Sequence, residues 1–155
     1  MSTHVSDQRS FQLWVYATLE AVCAAHGLPV DNIYYPGLVD GNQESSIPQN
    51  DLHVRVWVRP SPSSGQPYSM GTRDQKRRHV STGNVYVKVN YPIGKPSLLT
   101  SAWALGILLQ RKFQSRNHPC GIMMPSVTVS ELDRVDNDPY FQLTVTARYE
   151  FDEYV

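Results

Sequence analysis

The sequence predicts an α+β protein: one domain over residues 1–155, with one mostly antiparallel sheet, a long hairpin within it, and two helices packed on it. Three patterns lead there. Phe11–Val22 and Leu98–Phe113 carry apolar residues at helical spacing, Leu52–Arg59 and Val85–Asn90 alternate with a period of two, and two further alternating segments follow Met123. A chain of 155 residues suits one domain. At that size roughly 70% of the surface exposed by the unfolded chain is buried on folding, enough without disulfide or metal staples.

Ser6 or Asp7 is positioned to cap the first helix, whose stripe is Phe11, Val15, Leu19 and Val22, widened by Trp14. Gly27 and Pro29 stop it. Asn32 to Tyr35 reads as a minor strand ended by Pro36 and Gly37, and Val39 to Asp51 as a polar loop. Next, Leu52, Val54, Val56 and Val58 alternate with His53, Arg55, Trp57 and Arg59, which predicts a strand with one buried face and one face left for another role. Pro60, Pro62, Gly65 and Pro67 then open a long connection through a basic cluster, Arg73, Lys76, Arg77, Arg78 and His79. With little apolar company, the connection from Ser61 to His79 is expected to be poorly ordered in an isolated subunit and fixed on meeting a partner.

The second ladder, Val85, Val87 and Val89 alternating with Tyr86, Lys88 and Asn90, is expected to pair antiparallel with the first. Pro92, Gly94 and Pro96 make a turn, and Ser97 is the expected cap of a second helix running to about Gln114. That helix carries one stripe of Leu98, Ala102, Leu105, Leu109 and Phe113 and a second apolar face of Leu99, Trp103 and Ile107, which predicts burial on more than one side, one of them open to another subunit. Met123 to Leu132 and Tyr140 to Phe151 read as closing strands joined by a turn from Asp133 to Pro139.

Charge and composition narrow the function. Basic and acidic residues balance at 14 each, so the chain lacks the strong field of a dedicated nucleic-acid binder. Two cysteines make no disulfide framework, which suits a reducing compartment. The N-terminal stretch is polar and the longest nearly apolar run, Ala102 to Leu109, falls far short of the ~20 residues that span a bilayer, so neither a leader nor a membrane anchor is expected.

Gly94-Lys95-Pro96 stands between a strand and a helix, as a phosphate-binding loop does, but Val89 occupies the leading glycine position and Pro96 the hydroxyl position. It reads as a plain turn. Cys23 and His26, with His118 and Cys120, match no standard zinc spacing, and Asp133, Asp136 and Asp138 lack the spacing and glycine of a calcium loop. The five histidines are scattered and no nucleophile signature occurs. No cofactor, metal or catalytic residue is therefore expected. Arg73, Lys76, Arg77, Arg78 and His79 remain as a candidate partner interface, because guanidinium forks match carboxylates and phosphates. The alternative is a solvated loop tip.

The segment Asn84–Gly94, NVYVKVNYPIG, followed by a helix ending in Phe113, resembles the tail-terminator and tail-completion family of long-tailed bacteriophages, including lambda-like terminators. Tyr34-Tyr35-Pro36 stands in the family's aromatic-proline place and Pro125-Ser126-Val127 opens the closing hairpin, so the likeness covers nearly the whole chain. The polar loop at Val39 to Asp51 and the insertion around the basic cluster depart from it. The resemblance implies a non-enzymatic virion protein at the head-proximal end of the tail, assembled in the host cytoplasm. It implies a ring, hexameric in expectation, with sheets around a lumen through which genomic DNA passes without sequence-specific binding. The ring would cap the tail tube, stop its polymerisation and offer a surface to the head–tail connector. Its partners would be other copies of itself, the tail-tube protein and the connector, with no membrane. Head-closure, neck or tube proteins of the same particle are the nearest alternatives, and a small nucleic-acid-binding module using the basic connection is the alternative from another class.

Overall fold

The computed structural model describes residues 8–35, 52–61, 66–73, 76–92, 96–114, 122–132 and 140–154. Helix α1, Gln8–His26, buries Phe11, Val15, Leu19 and Cys23 completely. The strict four-residue spacing carries the buried stripe to Cys23, leaving Val22 half-buried at its edge. Gly27 ends the helix at φ 90°, where its N–H donates to the Ala24 carbonyl at 3.1 Å and the Leu28 N–H to the Cys23 carbonyl at 2.8 Å. Those two bonds satisfy carbonyls that the helix end would otherwise orphan. The proposed caps Ser6 and Asp7, the polar stretch Val39 to Asp51 and the turn Asp133 to Pro139 lie outside the described residues.

A short 3-10 turn, Val30–Asn32, leads into strand β1, Ile33–Tyr34. Asn32 is buried and its side-chain amide donates to the Leu52 carbonyl at 3.0 Å, tying this entrance to the start of β2, His53–Pro60. The remaining strands are β3, Gln66–Arg73; β4, Lys76–Pro92; β5, Ile122–Leu132; and β6, Tyr140–Tyr154. They form a six-stranded sheet in the order β1-β2-β4-β6-β5, with β3 paired to β4. Among the described strands only β1 with β2 is parallel. The expected pairing of the two valine ladders is observed, with Val54 opposite Val89 and Val56 opposite Val87.

The connection from Ser61 to His79 differs from expectation. It contains β3, and β4 begins at Lys76 rather than near Val85. At 17 residues, β4 is about 55 Å long. Beyond the last β2 pair, Pro60 opposite Gly83, its same edge is taken up by β3, starting with Gln66 opposite Val80. The other edge pairs with β6 as far as Arg78 opposite Tyr154. Backbone hydrogen bonding to an already extended neighbour needs no apolar side chains, and a register shift between Pro67 and Thr72 absorbs the residues that read as breakers. The result is a three-stranded arm continuing the sheet.

Helix α2, Pro96–Gln114, starts at the proline, so Ser97 is its second residue and not its cap. Proline suits the first helical position because the N–H it lacks would go unpaired there. Ala102, Leu105, Leu109 and Phe113 are fully buried against the sheet. Gly106 lets the helix approach closely: a methyl group there would stand 2.5 Å from Leu143 Cδ2. Gln110 and Gln114 donate to the Val127 carbonyl at 3.2 and 3.3 Å, tying the helix to β5. The expected second buried side of α2 is only partly covered, since Trp103 is half-buried while Ile107 and Leu108 remain 38% and 40% exposed. Helix α1 packs against α2 where Trp14 meets Phe113.

Both helices lie on one sheet face. Val54, Val56, Val85, Val87, Val89, Leu143, Val145 and Ala147 point into this core. Phe11 lies 4.2 Å from Tyr149 and 5.3 Å from Phe151 between ring centroids, and Trp14 meets Phe113 edge-on at 6.5 Å. Cys23 is sealed in, and burial, with a smaller contribution from the Glu20 charge, pushes its thiol up to about 12.

Candidate functional site

Among the described residues, the period-two ladders leave the opposite sheet face without a helix. Trp57 on β2 stands directly across from Tyr86 on β4, Lys88 across from Thr144 on β6, and Thr144 across from Ser130 on β5. The alternation that sends the valines inward thus sends these side chains outward together. Trp57, Arg59, Tyr86, Lys88, Ser130, Thr144 and Thr146 line a shallow basin of about 330 Å³. It holds two cations, two aromatic rings and three aliphatic hydroxyls, with no carboxylate among the described residues that line it.

Two cations on this face lie over rings. The Lys88 ammonium sits 5.2 Å from the Trp57 ring centroid, and the Arg55 guanidinium 5.5 Å from that of Tyr34. Arg148 pairs with Glu150 at 3.6 Å, an exposed contact worth little in water. Thr144 is only 7% exposed, and its Oγ1 has no hydrogen-bond partner among the described residues. His53 belongs to the same side by parity but is buried at the rim of the sheet, its Nε2 3.2 Å from Asn90 Nδ2.

The sequence-predicted interface residues fall on the arm. Arg73 ends β3 opposite Lys76, and Arg77 stands opposite Thr72. Arg78 and His79 are in register with Tyr154 and Glu153 of β6, and Val80 with Asp152. The basic run therefore enters the sheet beside an acidic strand end and stands apart from the basin in register, whose β4 residues are Tyr86 and Lys88.

The other candidates do not converge. His26 Nε2 lies 3.0 Å from Ser101 Oγ, and Cys23 faces the core, while His118, Cys120 and Gly94-Lys95 lie outside the described residues. Among the described residues no three His, Cys, Asp or Glu side chains group as metal ligands. No described helix is long and apolar enough to cross a membrane. On the helical side, Val22, Ala25 and Leu108, rimmed by Arg111 and Lys112, line an open and mainly apolar groove of about 340 Å³.

The outward residues of both ladders are visible in the sequence, but nothing there joins them into a site. The available signal was the run Arg55-Val-Trp57-Val-Arg59 facing Tyr86-Val-Lys88, which becomes one patch once the strands pair. No protein-family model and no curated protein matches the chain. One solved structure, which carries no functional description, aligns with 93% of this chain and 97% of its own at 18% identity, with a TM-score of 0.49.

Proposed function

We propose that the chain is a non-enzymatic structural subunit of a long-tailed bacteriophage, forming a ring of copies, hexameric in expectation, at the head-proximal end of the tail. The ring caps the tail tube, stops its polymerisation and meets the head–tail connector. Assembly takes place in the host cytoplasm, and genomic DNA passes through the lumen. The observation that supports this reading is the apolar groove of Val22, Ala25 and Leu108 on the outer surface of the helices, beside exposed Ile107. Apolar surface rimmed by charge is the composition of a protein–protein contact. The arm adds a second projecting surface, whose basic residues Arg73, Lys76, Arg77, Arg78 and His79 would meet acidic groups of a neighbour or of the tube.

Stopping a polymer needs a subunit that copies one tube interface and withholds the next. That is a matter of shape and charge, without a cofactor. The test is the assembly state of the purified chain by light scattering and negative-stain microscopy, beside Leu108→Glu. Closed rings from the parent and melting-competent monomers from the variant are expected. Open-ended tubes would mark a tube protein instead. A parent that stays monomeric, alone and with tail-tube protein, would reject the reading, as would phage particles with normal tails made without the protein.

A further inference from the structure

We propose that the helix-free sheet face binds single-stranded nucleic acid, with a base stacked in the basin and its phosphate held by Arg59, Lys88 and the Thr144 hydroxyl. This inference stands apart from the ring reading and is measured on the free chain. The basin combines what such a strand offers and no other common polyanion does: π-faces together with phosphates. Trp57 and Tyr86 supply flat apolar surface side by side on neighbouring strands. Arg59 and Lys88 supply charge at the same place, uncancelled by any carboxylate in the lining.

Thr144 points to a ligand independently of charge. Thr144 lines the basin at 7% exposure, and its Oγ1, itself covered, has no hydrogen-bond partner among the described residues, an arrangement that costs stability until a docked phosphate draws the hydroxyl round to it. The second ring–cation pair, Tyr34 with Arg55, lies on the same face one outward position along β2 from Trp57. That continuation beyond the basin favours a strand of nucleotides over a single one. A duplex would present phosphates but hide its bases, and an acidic peptide would use the cations while leaving the rings unmatched.

The test is fluorescence anisotropy of a labelled oligothymidylate titrated with the full chain at low and at physiological salt. A duplex, inorganic polyphosphate and polyglutamate serve as competitors. Single-strand binding is expected to exceed duplex binding at least tenfold and to resist polyglutamate. Loss of a stacked base contact corresponds to about 5- to 150-fold, so Trp57→Leu should weaken binding within that range. Lys88→Gln should weaken it and flatten the salt dependence by about one phosphate contact. Thr144→Val, which keeps the shape and removes the hydroxyl, should weaken binding about tenfold without lowering the melting temperature. Absence of strand binding at low salt overturns the proposal. So does equal binding of strand, duplex and polyphosphate, which would be charge alone. Loss on Arg77→Glu with Arg78→Glu but not on Trp57→Leu would move the site to the arm and equally overturn it. If Trp57→Leu fails to fold, Lys88→Gln and Thr144→Val decide, and undiminished binding by both rejects the site.

Discussion

Gly83 brings β4 into close contact with the aromatic core, and Gly83→Ala measures how much that contact matters. Gly83 faces Tyr149 across the β4–β6 ladder and Pro60 across the β4–β2 ladder. An added methyl would stand 2.6 Å from the Tyr149 hydroxyl oxygen and 2.8 Å from its Cζ, and would also collide with the Arg59 carbonyl oxygen. Neither neighbour yields easily. Tyr149 is fully buried against Phe11 and Phe151, and the Arg59 carbonyl belongs to a strand held beyond this point by the Ser61 N–H bond to the Thr82 carbonyl at 2.8 Å. Overpacking of this kind costs about 1–3 kcal/mol, and peeling the end of β2 would add about 1 kcal/mol per backbone bond lost. Reduced freedom of the unfolded chain returns about 0.4–1 kcal/mol. The expected net loss is about 2–3 kcal/mol, a fall in melting temperature of roughly 4–12 °C for a chain this long. Urea denaturation of the variant measures it. Gly83→Ala with Tyr149→Leu should recover only part, since the carbonyl clash persists. A single variant as stable as the parent would refute the steric account.

Two further perturbations probe the core. Phe113→Ala removes a fully buried ring that meets Trp14, and chemical denaturation should show a loss of about 3–5 kcal/mol; less than about 1 kcal/mol would mean that the α2 stripe is not anchored on the sheet. Alkaline pH should also destabilise the fold. The unfolded Cys23 thiol releases its proton near its ordinary 9.0 while the folded one, pushed up to about 12, keeps it, so its contribution is complete below pH 9 and is lost between about pH 9 and 12. Tyr35 adds to the slope at higher pH, its phenol raised from 10.0 first by burial and then by its 2.7 Å hydrogen bond to Glu20. Cys23→Ala should flatten the stability–pH profile in that window, and an unchanged slope would show the thiol to be solvated.

The valine ladders were legible because β-branched residues at period two have one good solution, a strand with one buried face, and the stripes of both helices followed from their own period. The end of α1 was legible too, since glycine at positive φ and a following proline are local chemistry. The arm was not. Pro60, Pro62, Gly65 and Pro67 read as breakers, and nothing local reveals that β4 extends far enough to offer its edge to β3. Cap assignment at α2 failed by one step, because Pro96 is itself a good first helical residue. Ile107 and Leu108 show the limit of periodicity: it marks apolar faces but not whether this chain or another covers them. The basin was half visible. Trp57, Arg59, Tyr86 and Lys88 stood out as residues, whereas Ser130 and Thr144 look like ordinary outward strand hydroxyls until the register places them beside Lys88.

The two proposed surfaces lie on opposite sides of the sheet, and that separation makes them independently testable. The apolar groove belongs to the helices, whose inner sides meet the valine core; the basin is built from the outward residues of the same strands. A substitution at Leu108 therefore reaches the basin only through the helices and the packed core, and Thr144→Val alters a hydroxyl that makes no hydrogen bond to described residues. Energies at such separated sites add, so Leu108→Glu combined with Thr144→Val should show both losses, of assembly and of strand binding, each at its single-variant size. A marked departure from additivity would mean that assembly itself covers or reshapes the sheet face. In that case, strand affinity should change with the assembly state, rising or falling as the protein is diluted. A concentration series of the parent, read by anisotropy at each dilution, separates the two: constant affinity places the helical groove and the sheet face under separate control, and a concentration-dependent affinity couples them.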